Sequence, residues 1–175
     1  STDGVDGKVE VFLSPDQWHF VSSPVTSTQT IEEIFGSVGV HLYGVYEFDE
    51  SSMQWLSSNQ QLATSNQKGY NVLYQGTSKT LLFIGTLNNF RTRKFYSVSR
   101  GAGGGWNLIG NPFPAPMSWN QSMKLENLEH ETIYVTTGGS GENTEWDTFN
   151  GVSRIGVPAN EVGNVAVGQG FWVRS

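Results

Sequence analysis

A short aromatic motif that occurs twice constrains what this chain can fold into. Residues 17–24 read QWHFVSSP, and residues 105–112 read GWNLIGNP. The Trp and the Pro have the same spacing in both copies. A motif repeated at this range is typical of a duplicated structural unit.

Further landmarks follow the two copies in the same order. Tyr43 and Trp55, in HLYGVYEFDESSMQW, are matched by Tyr134 and Trp146 in TIYVTTGGSGENTEW. The segments KGYNVLY and QGFWVRS then close the two halves with a Gly followed by an aromatic residue. We therefore predict one compact domain made of two homologous halves behind a short polar extension or linker. The predicted bounds are residues 1–10 for the extension, 11–100 for the first half and 101–175 for the second.

Apolar and polar residues alternate in the repeated motif, which predicts strands. Trp18 and Phe20 should lie on one face of the first strand and His19 on the other. Only 15% of the residues are charged and 13% are aromatic, a composition typical of all-β extracellular modules. Capping-box spacing predicts two short helices, one beginning at Thr30 in TIEEIF and one at Ser118 in SWNQSM. We predict an all-β fold, a jelly-roll-like β-sandwich built from two duplicated halves with two short helices.

Residues that recur in both halves should serve what both halves share, and the simplest shared feature is a packed core. Large aromatic rings anchor the interior of a sheet well. Proline ends regular strand pairing because it has no N–H to donate. The predicted core aromatics are Trp18, Trp106, Tyr43, Tyr134, Tyr70 and Phe171, and the predicted turn formers are Pro24 and Pro112.

Charge and motif content argue against several classes of function. The net charge of −6 disfavours nucleic acid as a partner. Cysteine is absent, so disulfides and thiolate metal sites are excluded. No apolar run approaches the roughly 18 residues that a membrane-spanning helix needs, so no membrane insertion is expected. Phosphate-loop, dinucleotide-loop and nucleophile-elbow patterns are all missing, and we expect neither an enzyme nor a bound cofactor.

Acidic residues cluster in two corresponding loops, and three interpretations remain open. The candidates are Asp49 and Glu50 in YEFDESS, and Glu142 and Asp147 in GENTEWD. They could be solvated loop residues, which is the favoured reading, or oxygen ligands for calcium. A carboxylate pair could also hydrolyse glycosidic bonds if held at the right separation, although this reading is a distant third.

Four residues without a matching partner in the other half are candidate ligand contacts. Alternation along FWVR predicts that Trp172 and Arg174 point outward, away from Phe171. Trp119, for which core packing is the favoured alternative, and Tyr46 are further aromatics of this kind. Aromatic rings beside amide-rich loops have the chemistry of carbohydrate recognition. An exposed Trp172 could instead pack against a neighbouring domain of the same polypeptide.

The second copy of the motif also carries a family resemblance. GGGWNLIGNPFPAPMSWN, followed by IYV, EWDTFNG and VAVGQGFWV, resembles a module that recurs in large secreted and surface proteins of Bacteroidetes. The upstream segments WHFVSSPV, LYGVYEFDE, KGYNVLY and LLFIGTLN are similar to that family as well, so the resemblance extends from about residue 11 to the last residues of the chain.

The resemblance implies a setting and no reaction. Such modules often precede a sorting domain read by the type IX secretion system, which implies a secreted or cell-surface protein. The polar start STDGVDGKVE leads us to expect an excised domain or mature form, without signal and sorting segments. The leading hypothesis is a non-catalytic binding or adhesion module with carbohydrate as its ligand class. The alternative is a structural spacer that supports neighbouring domains.

Overall fold

The computed structural model describes residues 4–89, 96–119, 127–138, 145–151, 155–157 and 163–175. Within these ranges the backbone is almost entirely extended, with a single short helix. The elements are β1 (Asp6–Leu13), β2 (Trp18–Val21), β3 (Val25–Thr26), α1 (Ile31–Phe35), β4 (Leu42–Asp49), β5 (Gln54–Ser57), β6 (Tyr70–Tyr74), β7 (Lys79–Leu87), β8 (Trp106–Gly110), β9 (Met117–Ser118), β10 (His130–Gly138), β11 (Glu145–Asn150), β12 (Ile155–Val157), β13 (Asn164–Val165) and β14 (Gly170–Arg174).

Two antiparallel sheets enclose the first hydrophobic core. The three-stranded sheet has the order β1-β7-β3, and the four-stranded sheet has the order β2-β6-β4-β5. Alternate residues of β6, namely Tyr70, Val72 and Tyr74, point into this core, together with Leu81 and Phe83 of β7. Helix α1 closes one side of it with Ile31, Ile34 and Phe35.

The second core lies on one face of a five-stranded sheet. This sheet has the order β12-β11-β10-β14-β8, and β13 and β9 form a separate two-stranded sheet. Phe171 and Val173 of β14 are fully buried in the second core with Ile133, Phe149 and Val165. The described residues therefore form an all-β sandwich, as the sequence predicts.

Helix α1 has the predicted capping box. The Oγ1 atom of Thr30 accepts a hydrogen bond from the Glu33 N–H at 3.2 Å, and the Glu33 carboxylate accepts one from the Thr30 N–H at 2.7 Å. The second predicted helix start, Ser118, ends β9 and donates its hydroxyl to Asn164 of β13 at 2.8 Å. Thr30 likewise bridges Ala63 just before α1 begins, so this pairing leaves the second helix a prediction. The remainder of that predicted helix, from residue 120, lies outside the described residues.

The predicted polar extension also needs correction. Residues 6–10 belong to β1, whose residues Val9 and Val11 pack against the first core. Pairing of this strand with β7 along its whole length includes these residues in the sheet. In the part of the chain that the structure describes, no helix is long and apolar enough to cross a bilayer.

The predicted core residues separate into three groups. Tyr70 and Phe171 lie in the two cores, at 2% and 0% exposure, and both predicted turn prolines are buried. The prediction for Tyr43 is wrong, since its side chain is 52% exposed. A break in the register between Leu42 and Gly44 is the reason, because it removes Tyr43 from the regular alternation. Three others are half-buried outside both cores: Trp18, Trp106 and Tyr134.

Candidate functional site

The four-stranded and five-stranded sheets meet through aromatic side chains on the faces opposite to their cores. We call this set the aromatic cluster, and it consists of Phe20, Phe48, Trp55, Trp106, Tyr134, Trp146 and Trp172. Strand register places its members. Trp172 of β14 lies between Leu108 of β8 and Tyr134 of β10, while Phe48 and Trp55 are cross-strand partners in β4 and β5.

Trp172 is the centre of this cluster. Its ring centroid is 4.9 Å from that of Phe48, 5.7 Å from Phe20 and 5.8 Å from Trp55, with near-perpendicular ring planes. Trp106 approaches it from the neighbouring strand at 6.4 Å. Edge-to-face contacts at these distances are favourable because the positive edge of one ring meets the negative face of the next.

The predicted exposure of Trp172 is wrong. Alternation correctly places it opposite Phe171, but its side chain is only 9% exposed because the four-stranded sheet covers that face. A neighbouring domain is not required to bury it. Its Nε1 atom is buried and has no hydrogen-bond partner among the described residues.

Two members of the aromatic cluster are exposed, while the others are half-buried or buried. Trp55 of β5 is 38% exposed and Trp146 of β11 is 42% exposed. Both contact Phe20: Trp55 stacks on it at 6.0 Å with 18° between the ring planes, and Trp146 lies at 5.9 Å. We call Trp55 and Trp146 the rim indoles. They offer partly open aromatic surface from two different sheets.

A neutral polar group lies on the same side of the four-stranded sheet. Asn71 of β6 is the cross-strand neighbour of both Phe20 and Tyr46. Its Oδ1 atom is buried and accepts no hydrogen bond from the described part of the chain. A buried acceptor without a partner is uncommon in folded proteins.

The repeated motif holds the two halves of the chain together by reciprocal backbone contacts. Val21 forms an isolated bridge with Gln169, and Ile109 forms one with Lys68. One residue further on, the Ser22 N–H donates to Gly168 O at 2.9 Å and the Gly110 N–H donates to Gln67 O at 3.2 Å. The motif residues thus bind the closing segment of the opposite half.

Close packing accompanies these hydrogen bonds. A Cβ atom added to Gly110 would lie 2.2 Å from the Ser22 Cβ atom, so the second copy requires glycine where the first has serine. Asn111, at 0% exposure, donates its amide to the carbonyls of Ala115, Val165 and Ala166 at 3.0 to 3.2 Å. The Gly-Asn-Pro part of the motif is therefore architectural.

The other predicted ligand contacts are engaged within the protein. Arg174 is half-buried, and its Nε atom lies 3.0 Å from the Glu129 carboxylate and 2.8 Å from Gly104 O. Its guanidinium also lies 5.7 Å from the centroid of the Trp106 ring. Salt bridge, hydrogen bond and cation–π contact together fix this side chain in place.

The remaining two aromatic candidates differ from each other. Trp119 is 3% exposed in the second core, where it packs on Phe171 at 5.6 Å and donates its Nε1 hydrogen to Glu131 O. It is a core residue and offers no surface to a ligand. Tyr46 is half-buried on β4 and contacts Trp18 at 5.8 Å, near the exposed Tyr43.

The predicted acidic loops do not form a metal site in the described residues. Glu50 is 4% exposed, and its Oε1 atom accepts hydrogen bonds from the N–H groups of Gly101 at 2.8 Å and Gly105 at 3.0 Å. These two bonds hold the pKa of the Glu50 carboxyl below its usual value. The reading of Glu50 as a solvated loop residue or calcium ligand is therefore wrong, because its carboxylate binds the glycine-rich loop.

The other carboxylates are separate from this contact. Asp49 accepts hydrogen bonds from the Ser52 and Ser51 hydroxyls, in that order of influence, which lower its pKa. Asp147 is half-buried on β11, and Glu142 lies outside the described residues. No group of three His, Asp or Glu side chains that could hold a metal ion occurs in the ranges that the structure describes.

Sequence reasoning missed the aromatic cluster, although one signal for it was present. A strand buried on both faces reads as a continuous apolar run. The run FWV in β14 fits that pattern better than it fits a strand with one solvent face. In the sequence, the rim indoles stand out only as matching landmarks of the repeat. Comparison with known protein families, curated proteins and solved structures gives no match for the chain.

Proposed function

We propose that this chain is a non-catalytic binding module of a secreted, multidomain surface protein and that its ligand is a carbohydrate. The setting rests on the family resemblance and on the low-charge, aromatic-rich composition. The ligand class rests on the chemistry of the rim indoles. Sugar rings present apolar C–H faces that stack on aromatic rings, and their hydroxyl groups pair with neutral amides.

The most direct support is that Trp55 and Trp146 come from different sheets and both contact Phe20. Exposed aromatic area is costly for a protein to leave open unless it packs or binds something. Contact with Phe20 also limits the rotamers of both indoles, which reduces the entropy that a ligand would have to remove. The proposed site therefore lies at the rim of the aromatic cluster, away from Trp172.

A glycan-array screen of the whole chain, with and without calcium, tests this proposal, followed by titration of any glycan that binds. We expect Trp146→Ala and Trp55→Ala to abolish binding or weaken it by at least tenfold. Tyr43→Ala is the matched control, because Tyr43 is also an exposed aromatic residue but lies outside the aromatic cluster. Circular dichroism of each variant separates lost binding from lost folding.

Each result bears on the proposal in a different way. Binding that survives both indole substitutions would place the site elsewhere on the surface and overturn the assignment to the rim. The absence of binding to any glycan would favour the second candidate, a structural module that spaces or supports its neighbours. The burial of Trp172 by contacts inside the chain removes it as a ligand contact and as a docking residue for a neighbour, so this alternative rests on the family resemblance.

A further inference from the structure

Among the residues that the structure describes, strand β1 leaves one edge of the three-stranded sheet open. It is the end strand in the order β1-β7-β3, and no strand among the described residues pairs with its outer edge. The opposite edge of β7 is protected where β3 ends. There the Gln29 side chain accepts from the Ile84 N–H and donates to Leu82 O, and the Ser27 hydroxyl donates to Ile84 O at 2.6 Å.

The hydrogen-bonding pattern identifies which backbone groups are open. The Leu87 N–H donates to Val5 O at 2.8 Å, so this pair is a hydrogen-bonded one. Hydrogen-bonded and non-bonded pairs alternate along antiparallel strands. Odd-numbered residues of β1 therefore bond β7, and even-numbered residues direct their N–H and C=O groups to the open edge. These residues are Asp6, Lys8, Glu10 and Phe12.

The same four residues have exposed side chains on the outer face of the sheet. Burial in β1 alternates, with these residues exposed and the intervening ones turned toward the core. Phe12 is the most notable, because 67% of its side chain is exposed. An open edge with exposed apolar surface is a template for pairing with another strand.

We propose that two copies of this chain associate by antiparallel pairing of their β1 strands about Val9. In this register Lys8 of each copy lies opposite the partner's Glu10, and Phe12 lies opposite the partner's Asp6. All of these are hydrogen-bonded pairs, because they involve only the even-numbered residues. The three-stranded sheets of the two copies would then join into one continuous sheet.

The charge pattern selects this register over its neighbours. A shift by one pair in one direction places Lys8 against the partner's Lys8 and Asp6 against the partner's Glu10. The opposite shift places Glu10 against the partner's Glu10. Like charges directly opposite each other destabilise a strand pair, whereas opposite charges stabilise it. The register centred on Gly7 also gives two oppositely charged pairs, Lys8 with the partner's Asp6, but there only residues 6–8 of β1 pair with the partner's β1. The register centred on Val9 combines two oppositely charged pairs with pairing from residue 6 to residue 12.

The exposed Phe12 ring also gains a neighbour in this arrangement. The partner's Lys8 lies diagonal to it, within the reach of long side chains across a strand pair. The methylene groups of a lysine can cover an aromatic ring while the ammonium group remains in water. Pairing therefore reduces the apolar surface that the isolated chain leaves open.

Sedimentation equilibrium of the whole chain over a range of concentrations tests the proposal. We expect a reversible dimer whose dissociation constant rises roughly tenfold with Lys8→Glu or with Glu10→Lys. Mixing the two variants in equal amounts should restore association, because glutamate at position 8 then faces lysine at position 10 of the partner. Lys79→Glu, on the neighbouring strand β7, is the matched charge control and should leave the dimer unchanged.

Glu10→Pro provides an independent variant. The Glu10 N–H is directed to the open edge, so proline at this position removes one donor from the pairing edge and leaves all hydrogen bonds to β7 in place. The variant should fold, as judged by circular dichroism, and sediment as a monomer. A wild-type chain that remains monomeric at millimolar concentration would overturn the proposal. A dimer that the charge-reversal variants leave unchanged would also overturn it, because it would use another face of the molecule.

Discussion

Replacing Trp172 with alanine should destabilise the fold strongly. A buried aromatic side chain removes about 150–250 Å² from water, and about 25 cal/mol per Å² then corresponds to about 4–6 kcal/mol. That figure is an upper estimate, because the unfolded chain is partly compact and alanine retains some of the area. Measured losses for buried Trp→Ala or Phe→Ala changes are about 3–5 kcal/mol. We expect a loss in this range for Trp172→Ala.

Two comparison variants make the prediction specific. Trp172→Phe retains a ring between Phe20 and Phe48 and removes an Nε1 hydrogen that has no partner among the described residues, so we expect a loss of about 1–2 kcal/mol. Trp146→Ala, at a side chain that is 42% exposed, should cost about 1–2 kcal/mol as well. Trp172→Ala should therefore cost the most of the three, because it alone removes a buried ring from the aromatic cluster.

Urea denaturation followed by circular dichroism measures these free energies without relying on tryptophan emission. The midpoint should move while the slope with denaturant concentration stays constant, since the area exposed on unfolding changes little. If Trp172 faced solvent, its replacement by alanine would change the free energy of unfolding by no more than about 0.5 kcal/mol. A loss for Trp172→Ala no greater than that for Trp146→Ala would refute the packing described here.

Three further substitutions test other contacts. The hydrogen bonds from Gly101 and Gly105 lower the pKa of Glu50 in the folded state, so its ionised carboxylate stabilises the fold at pH values above the unfolded pKa of about 4.3. This stabilisation is lost as the pH falls through the folded pKa. Glu50→Gln should therefore be less stable than the wild type at neutral pH, with a difference that shrinks in acid, as urea titrations at several pH values would measure. Thr30→Ala should cost about 1 kcal/mol in thermal unfolding. Gly110→Ala should cost about 1–3 kcal/mol of unfolding free energy by overpacking against Ser22. Adding Ser22→Gly should restore part of that loss, as a double-mutant cycle of unfolding free energies would measure.

Much of the fold could be predicted from local sequence signals. Alternation identified the strands at Trp18 and Trp106, and the Thr30 capping box identified the helix that is present. These signals depend on neighbouring residues alone. The second capping-box spacing, at Ser118, stays a prediction, because the residues from 120 onward that would form that helix lie outside the described ranges.

The candidate site was harder to predict, because it depends on what covers each face of a sheet. Alternation tells which side of β14 holds Trp172, and that assignment was correct. It does not tell whether water or another sheet lies on that side. Glu50 presents the same difficulty, since a carboxylate in a polar segment reads as solvated until Gly101 and Gly105 are placed beside it.

The repeat itself stays a prediction, and the contacts around it suggest why the motif could be kept in two copies. Val21 and Ile109 occupy the same position in the two copies, and each bridges the segment that closes the opposite half. Ser22 and Gly110, again at matching positions, touch each other. When two copies of a unit bind each other by reciprocal contacts, each copy needs the same contact residues. Here each copy supplies one side of the Val21–Gln169 bridge and one side of the Lys68–Ile109 bridge. The presence of the motif in both copies would then follow from assembly of the two halves, and ligand binding would be free to use residues outside it, such as the rim indoles.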